Sequence, residues 1–527
     1  MNGFGTLVRL ALRRDRILLP LWIAGLTFMV VFSATATKDL YPDPADLATA
    51  AETINATASL VALYGKVYDP TSLGAVSLIK MTAFGAALVS ILFVFITVRH
   101  SRSEEESGRL ELVQAGAVGR AAPLAAAVAV GMGASAVLGT GVALGLGLVG
   151  LPAPGAVAFG LGWASSGIVF TAIAAVAAQV TTSARAAIGL GVAMVGVAYA
   201  LRALGDLAQG DPGLLSWLSP IGWSQQFRPF AGDRWWVVVL PLLAVGVLVS
   251  VAFALRSRRD LGAGLVPDRP GPAVGTIRTV TGLAWRLQRG LLLAWLAGAA
   301  LMGLALGSIA SNVQGLLDSE QMRGYLEVLG GEQAITDAFL AAEIALMGAI
   351  VAAYGVAATS RLGHEETSGH AELLLSTATT RVAWAASHVG LALAGVAAVM
   401  LVAGGSVGFA HGLTVNDPLG QSMRMTGAAL AQVPAAWVVV AAVMVLFGWL
   451  PRWLSAAWGL LVALVVLGEF GALWQLPTWV LELSPFGHSP RLPGGDVAVG
   501  SLAGLVVVAA ALAAVGFVGW RRRDVRT

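Results

Sequence analysis

Twelve runs of about 20 mostly apolar residues, separated by short charged segments, govern what this chain is able to form. They lie roughly at 17–36, 77–98, 122–148, 156–179, 184–204, 235–255, 290–311, 337–359, 383–408, 427–449, 454–473 and 498–519. Each is long enough to cross the hydrocarbon core of a bilayer as a helix. Lipid offers no hydrogen-bond partner to an open backbone, and the runs are continuous rather than alternating, so a β-barrel is excluded. The fold class is an all-α polytopic membrane protein with about 12 transmembrane helices. Only 12% of the residues are charged, against roughly a quarter in soluble chains, which excludes a soluble enzyme, a disordered chain and a fibre. Cysteine is absent, and with it any disulfide, thiol chemistry or Cys-based metal site. The first run follows Arg13, Arg14 and Arg16 and lacks a small-residue cleavage site, so it reads as a span and not as a signal peptide.

The basic residues set the orientation. With the N-terminus inside, 23 of the 32 Lys and Arg fall in cytoplasmic segments, and both termini are expected in the cytoplasm. Nothing in the net charge of +3 points to nucleic acid as a partner.

The chain reads as a tandem repeat. Residues 104–120, EEESGRLELVQAGAVGR, return at 365–381 as EETSGHAELLLSTATTR. Leu218-Ser219-Pro220-Ile221-Gly222 returns as Leu483-Ser484-Pro485-Phe486-Gly487, and Arg258-Arg259-Asp260 as Arg522-Arg523-Asp524. Arg16, Trp22 and Gly25 are matched by Arg289, Trp295 and Gly298. Six spans per copy give both copies the same orientation. The expected layout is a first half at 1–260, a cytoplasmic linker at 261–280 and a second half at 281–527. Basic amphipathic segments at about 4–16 and 277–289 are expected to lie at the membrane interface before the first span of each half. The two LSPxG elements, rich in proline and aromatics, suit short broken helices at the opposite interface. Gly141 and Gly145 form a GxxxG pair in the third span that reads as helix packing.

No ATP site is present. A P-loop needs GxxxxGK[ST], and around the Gly65-Lys66 pair Leu60 and Val67 occupy the positions of the first glycine and the hydroxyl. No cofactor is expected on this chain. The charged repeat is its most specific polar feature, and it reads as a helix that couples a cytoplasmic partner to the second and third spans. The residues carrying that reading are Glu104, Glu105, Glu106, Gly108, Arg109, Glu111 and Leu112, then Glu365, Glu366, Gly369, His370, Glu372 and Leu373. Acidic residues near its start suit a helix N-terminus, and the leucines supply an apolar face. Two copies imply a dimeric partner with one docking site per half.

Ionisable groups inside spans are costly and mark functional candidates. Lys80 and Glu343 fall on equivalent helices of the two halves, as do Arg202 and Glu469. Opposite charges on matching helices are expected to pair and to form a gate or a polar anchor for cargo.

These stretches together resemble the permeases of ABC-2 (type V) exporters. EEESGRLEL, LSPIGWSQQFRPFAGDRWW at 218–236 and RRDLGAG at 258–264 are similar, more narrowly, to actinobacterial tetronasin and polyketide-antibiotic exporter permeases and to mycobacterial multidrug efflux permeases. The resemblance implies a permease of the bacterial cytoplasmic membrane that exports a lipophilic small molecule. It also implies a separately encoded ABC ATPase, in two copies, that binds ATP and Mg. By position it puts coupling helices at about 101–116 and 362–377. Thr367 in place of Glu106 and His370 in place of Arg109 make the two docking sites unequal. The competing reading is a 6+6 proton-coupled drug transporter, but the loop Arg99-His100-Ser101-Arg102-Ser103-Glu104 lacks the Gly-x-x-x-Asp-Arg-x-Gly-Arg-like pattern of that class. A sensor or scaffold is a third, for which the outer loops are too small.

Overall fold

The computed structural model describes residues 2–41, 43–56, 58–207, 213–260, 262–266, 275–310, 332–470 and 477–525. The chain divides into two compact units, Met1–Pro270 and Gly271–Thr527, each with its own apolar core. Every regular element among the described residues is a helix, as an apolar chain in lipid requires.

In the first unit, α1 (Phe4–Arg14) precedes the first span, α2 (Leu18–Leu40). Three short helices, α3 (Pro44–Ala56), α4 (Ala58–Tyr64) and α5 (Leu73–Ser77), lead into the second span, α6 (Ile79–Arg99). The charged segment forms α7 (Arg102–Glu106) and α8 (Arg109–Gln114). Three spans follow as α9 (Ala122–Leu148), α10 (Ala153–Val180) and α11 (Ala184–Leu207). Then come the short α12 (Leu214–Trp217) and α13 (Pro220–Gln226) and the last span, α14 (Val239–Ser257). In the apolar window of each span, 72% of α6 and 78% of α10 is buried, against 17% of α14, so α6 and α10 form the centre. The second unit repeats this: 61% and 67% are buried in the helices at Thr336–Thr367 and Pro418–Trp449, against 22% in Val499–Arg522.

Small residues make the central contacts possible. A Cβ on Gly139 of α9 would lie 2.5 Å from the Gly160 carbonyl oxygen of α10, and one on Gly160 2.3 Å from that of Gly139. The GxxxG pair packs on α2, where a Cβ on Gly145 would meet Val31 at 2.7 Å.

Three details stand beside the expectations. Eleven helices, not twelve, are long and apolar enough to cross a membrane among the described residues. The place of the eleventh holds a shorter helix, Ala456–Phe470, and residues 471–476 lie outside the described residues. Second, α1 is a separate helix, but its counterpart runs unbroken into the span as Val280–Ala310. Asp15, fully buried, ties the turn after α1 to His100 and Arg99 at the end of α6. Gln288, at the matching place before Arg289, instead reaches sideways to His388 at 3.0 Å without leaving the helix. Third, residues 262–266 of the expected linker are hydrogen-bonded to the first unit. Gly262 and Ala263 accept hydrogen bonds from Arg102, and the Leu265 and Val266 amides donate to Gln179 and Val180 at the end of α10.

The LSPxG serines hold their elements in place. Ser219 caps α13 by accepting from the Gly222 amide and donates to the Ala198 carbonyl at 2.6 Å, and Ser484 donates likewise to Leu464 at 2.7 Å. The element is a true helix in the first unit and a single tight turn, Pro485–His488, in the second.

Candidate functional site: the paired charged helices

The charged repeat folds alike in the two units. In the first, the chain turns at Gly108 (φ 71°) between α7 and α8; in the second, the helix Glu332–Thr367 turns at Gly369 (φ 75°) into the helix His370–Leu375. Only glycine takes these left-handed angles without strain. Gly108→Ala or Gly369→Ala is therefore expected to cost about 1–2 kcal/mol, read as a lowered unfolding temperature in detergent, although open space surrounds both positions.

Glu105 in the first copy and Glu365 and Glu366 in the second are buried, and one carboxylate of each copy meets the arginine after the last span. Glu105 accepts both Nη atoms of Arg259, at 2.9 and 2.8 Å, and a further hydrogen bond from Arg102. Glu366 accepts both Nη atoms of Arg523, at 2.6 and 2.7 Å. The side chains of Glu105 and Glu366 are 5% and 1% exposed, so these are buried bidentate pairs. A second arginine completes each assembly. Arg120 donates to the Arg259 carbonyl at 3.1 Å, and Arg381 to that of Arg523 at 2.6 Å. The recurring glutamate, the arginine that ends the charged segment and the Arg-Arg-Asp after the last span thus form one joint in each unit. It fixes the charged helix to the end of the last span.

The surroundings of the joint differ. In the first unit Arg259 also donates to Gln179 at 2.9 Å and to the Ala263 carbonyl at 2.7 Å. In the second, the Arg523 guanidinium lies over Trp520 and Phe447, 4.6 and 4.9 Å from the ring centres. Glu104 pairs with Arg14 of α1 and, at 3.7 Å, with Arg109. Glu365 pairs with Arg361 at 2.8 Å and with His370 at 3.3 Å. Glu106 caps α11 by accepting from the Ala184 amide at 2.9 Å; Thr367, in its place, bonds back to Gly363.

What faces outward is therefore a subset of the expected residues. Glu106, Arg109, Glu111 and Leu112 are exposed in the first unit, and His370, Glu372 and Leu373 in the second. Leu112 is 80% exposed and Leu373 71%, at matching positions outside the apolar spans. A single exposed leucine is unremarkable, but one at the same place on two rigidly held helices is a repeated apolar knob beside a carboxylate.

The intramembrane candidates separate. Arg202 is fully buried and partnered inside its own unit: by Asp206 at 3.4 Å, the Val61 and Leu63 carbonyls at 3.3 and 3.1 Å, and the Tyr199 ring at 4.4 Å. Ser216 donates to the other Asp206 oxygen at 3.0 Å. Lys80 is exposed in the first turn of α6. Glu343 is half-buried and has no ion pair among the described residues. The side chain of Glu469 lies outside the described residues. The sequence reading missed Asp206, although its i,i+4 spacing from Arg202 in an apolar run was a visible signal. It also left Arg259 and Arg523 without a role, although they recur together with the glutamates they hold.

A chain whose described residues form eleven helices long and apolar enough to cross a membrane is a polytopic membrane protein. The chain matches the family described as multidrug efflux system permease Rv1217c, C-terminal domain, over residues 4–256 and 277–521. It is 43% identical over 532 aligned residues to the multidrug efflux system permease protein Rv1217c of Mycobacterium tuberculosis (strain ATCC 25618 / H37Rv), covering 100% of this chain and 96% of that protein. The chain belongs to this family of permeases.

Proposed function

We propose that the chain is the transmembrane subunit of an ATP-driven exporter that moves lipophilic drugs or polyketide-type antibiotics out of the cell. Two copies of a separate ABC ATPase, carrying ATP and Mg, engage the charged helices, and both termini lie in the cytoplasm. The observation that carries this reading is the repeated joint. An exposed Leu112 or Leu373 stands beside Glu111 or Glu372 on a short helix that a buried Glu–Arg pair fixes to the spans. A force applied to such a helix reaches the span ends without loss in a flexible loop. The excess of basic residues on the same side supports the orientation.

The test is affinity purification of the full chain from native cells in mild detergent, with mass spectrometry. The parent is expected to bring down a P-loop ATPase at about two per chain. Leu112→Arg with Leu373→Arg is expected to lose it, because truncating an interface anchor costs about 2 kcal/mol, roughly 30-fold in affinity, per site. An active permease that brings down no ATPase, and whose export follows the proton gradient, would replace this reading with the proton-coupled one.

A further inference from the structure

We infer that the second unit holds a binding site for a lipophilic carboxylate, in a cavity of about 480 Å³ at the end of the Glu332–Thr367 helix opposite its charged terminus. One wall is a face of that helix reduced to methyl groups: Ala338, Ala341, Ala342 and Ala345. The spacing i, i+3, i+4, i+7 puts all four on one side. At the offset that relates Glu104 to Glu365, the first unit has Ser77, Lys80, Met81 and Phe84 at these positions. The first unit is also filled from its outer element. The Phe230 ring occupies the space where a Cβ on Gly74 or Gly155 would lie, and Gln225 sits against Gly65. In the second unit that element is only the turn Pro485–His488 and the segment after it, and among the described residues the space stays open.

The chemistry of the lining names the ligand class. Phe486 and the alanine face are apolar, and two donors stand among them. Arg491 has no ion pair among the described residues, and the Ser489 hydroxyl is buried with no hydrogen-bond partner. The neighbouring carboxylate, Asp337, is paired with Arg424. Glu343 is not part of the lining. A guanidinium and a hydroxyl beside an apolar wall suit the two oxygens of a carboxylate on a hydrophobic skeleton. The volume falls in the range of about 300–1,000 Å³ that small-molecule sites occupy. This names an acidic lipophile as cargo class and rests on the exporter reading for that alone; the binding is tested without transport or ATPase.

The probe is palmitic acid bearing a diazirine, photolysed with the purified full-length chain in neutral detergent, with its methyl ester as control. The acid is expected to label peptides at 338–345 and 486–495. Arg491→Gln, a change at an exposed residue that leaves the fold intact, is expected to lower that labelling about tenfold, the worth of one hydrogen bond to a charged group. Ala342→Phe, which fills the cavity, is expected to abolish it, and the ester is expected to label no better than the acid does in Arg491→Gln. Equal labelling by acid and ester, or full labelling in Arg491→Gln or Ala342→Phe, overturns the site. Displacement of the probe by phosphatidylglycerol, rather than by unlabelled palmitic acid alone, assigns the cavity to lipid and overturns it as well. Labelling that survives while the ATPase association of the parent proves absent leaves the site standing and removes the exporter reading.

Discussion

Arg202→Met is expected to destabilise the first unit by about 3–5 kcal/mol, the usual result of removing one member of a buried ion pair. The guanidinium is inaccessible, and three groups depend on it. Asp206, itself 2% exposed, would lose the cation beside it and keep the Ser216 hydroxyl. The Val61 and Leu63 carbonyls, at the end of α4, would each lose one of two donors, keeping the Gly65 amide and the Tyr199 hydroxyl. The measurement is unfolding of the purified chain in detergent, with hydrogen exchange at residues 58–68 as the local readout. Arg202→Met with Asp206→Leu should recover much of the loss, because an apolar pair of similar volume removes the uncompensated charge. The cycle is then strongly non-additive. Additive losses, or a transport defect at unchanged stability, would make Arg202 a residue of the cargo pathway instead of the pin that fixes the outer helices to α11.

The contrast between Arg202 and Leu112 shows where the sequence is legible. The spans can be read because lipid leaves an apolar backbone no choice but the helix. The charged segment can be read as important because it returns with its glycine, its glutamates and its closing arginine. Repetition picks out Glu104 and Glu105, which return as Glu365 and Glu366, but it does not say which carboxylate of the run meets the end of the last span. That is decided by Arg259, 154 positions away, whose guanidinium reaches Glu105 and leaves Glu106 at the surface. The same ambiguity hid the partner of Arg202. Equivalent helices suggested Glu469, whereas the carboxylate found beside Arg202 is Asp206, one turn away on the same helix. The second interfacial segment escaped for a different reason. Its composition matches that of α1, and the difference rests on one side chain: Asp15 is drawn to His100, while Gln288 stays within its helix. A cavity made by four alanines is no easier to see, since in a chain this rich in alanine a missing side chain carries no mark in the sequence.

Arg523→Ala in the second unit is expected to lower stability by about 3–5 kcal/mol and to abolish coupled export, although it leaves the Leu373 surface chemically unchanged. The reason lies in the joint. Glu366, its side chain 1% exposed, would lose its bidentate partner, and the short helix bearing Leu373 would lose its side-chain tie to the end of the last span. Glu366→Gln should cost less, because the amide keeps one acceptor for Arg523 and removes the charge that needs an answer. The informative comparison is with Leu112→Arg and Leu373→Arg. Those changes sit at side chains that touch water, so the unfolding temperature should hold while partner binding is lost. Arg523→Ala should do the reverse in a protein kept folded by low temperature or added lipid: the partner still binds, but its ATP hydrolysis no longer drives transport. Measuring both quantities on both variants separates a surface that is recognised from a joint that transmits. If Arg523→Ala and Leu373→Arg lose partner binding equally at equal stability, the buried pair belongs to the docking surface and the division between knob and joint fails.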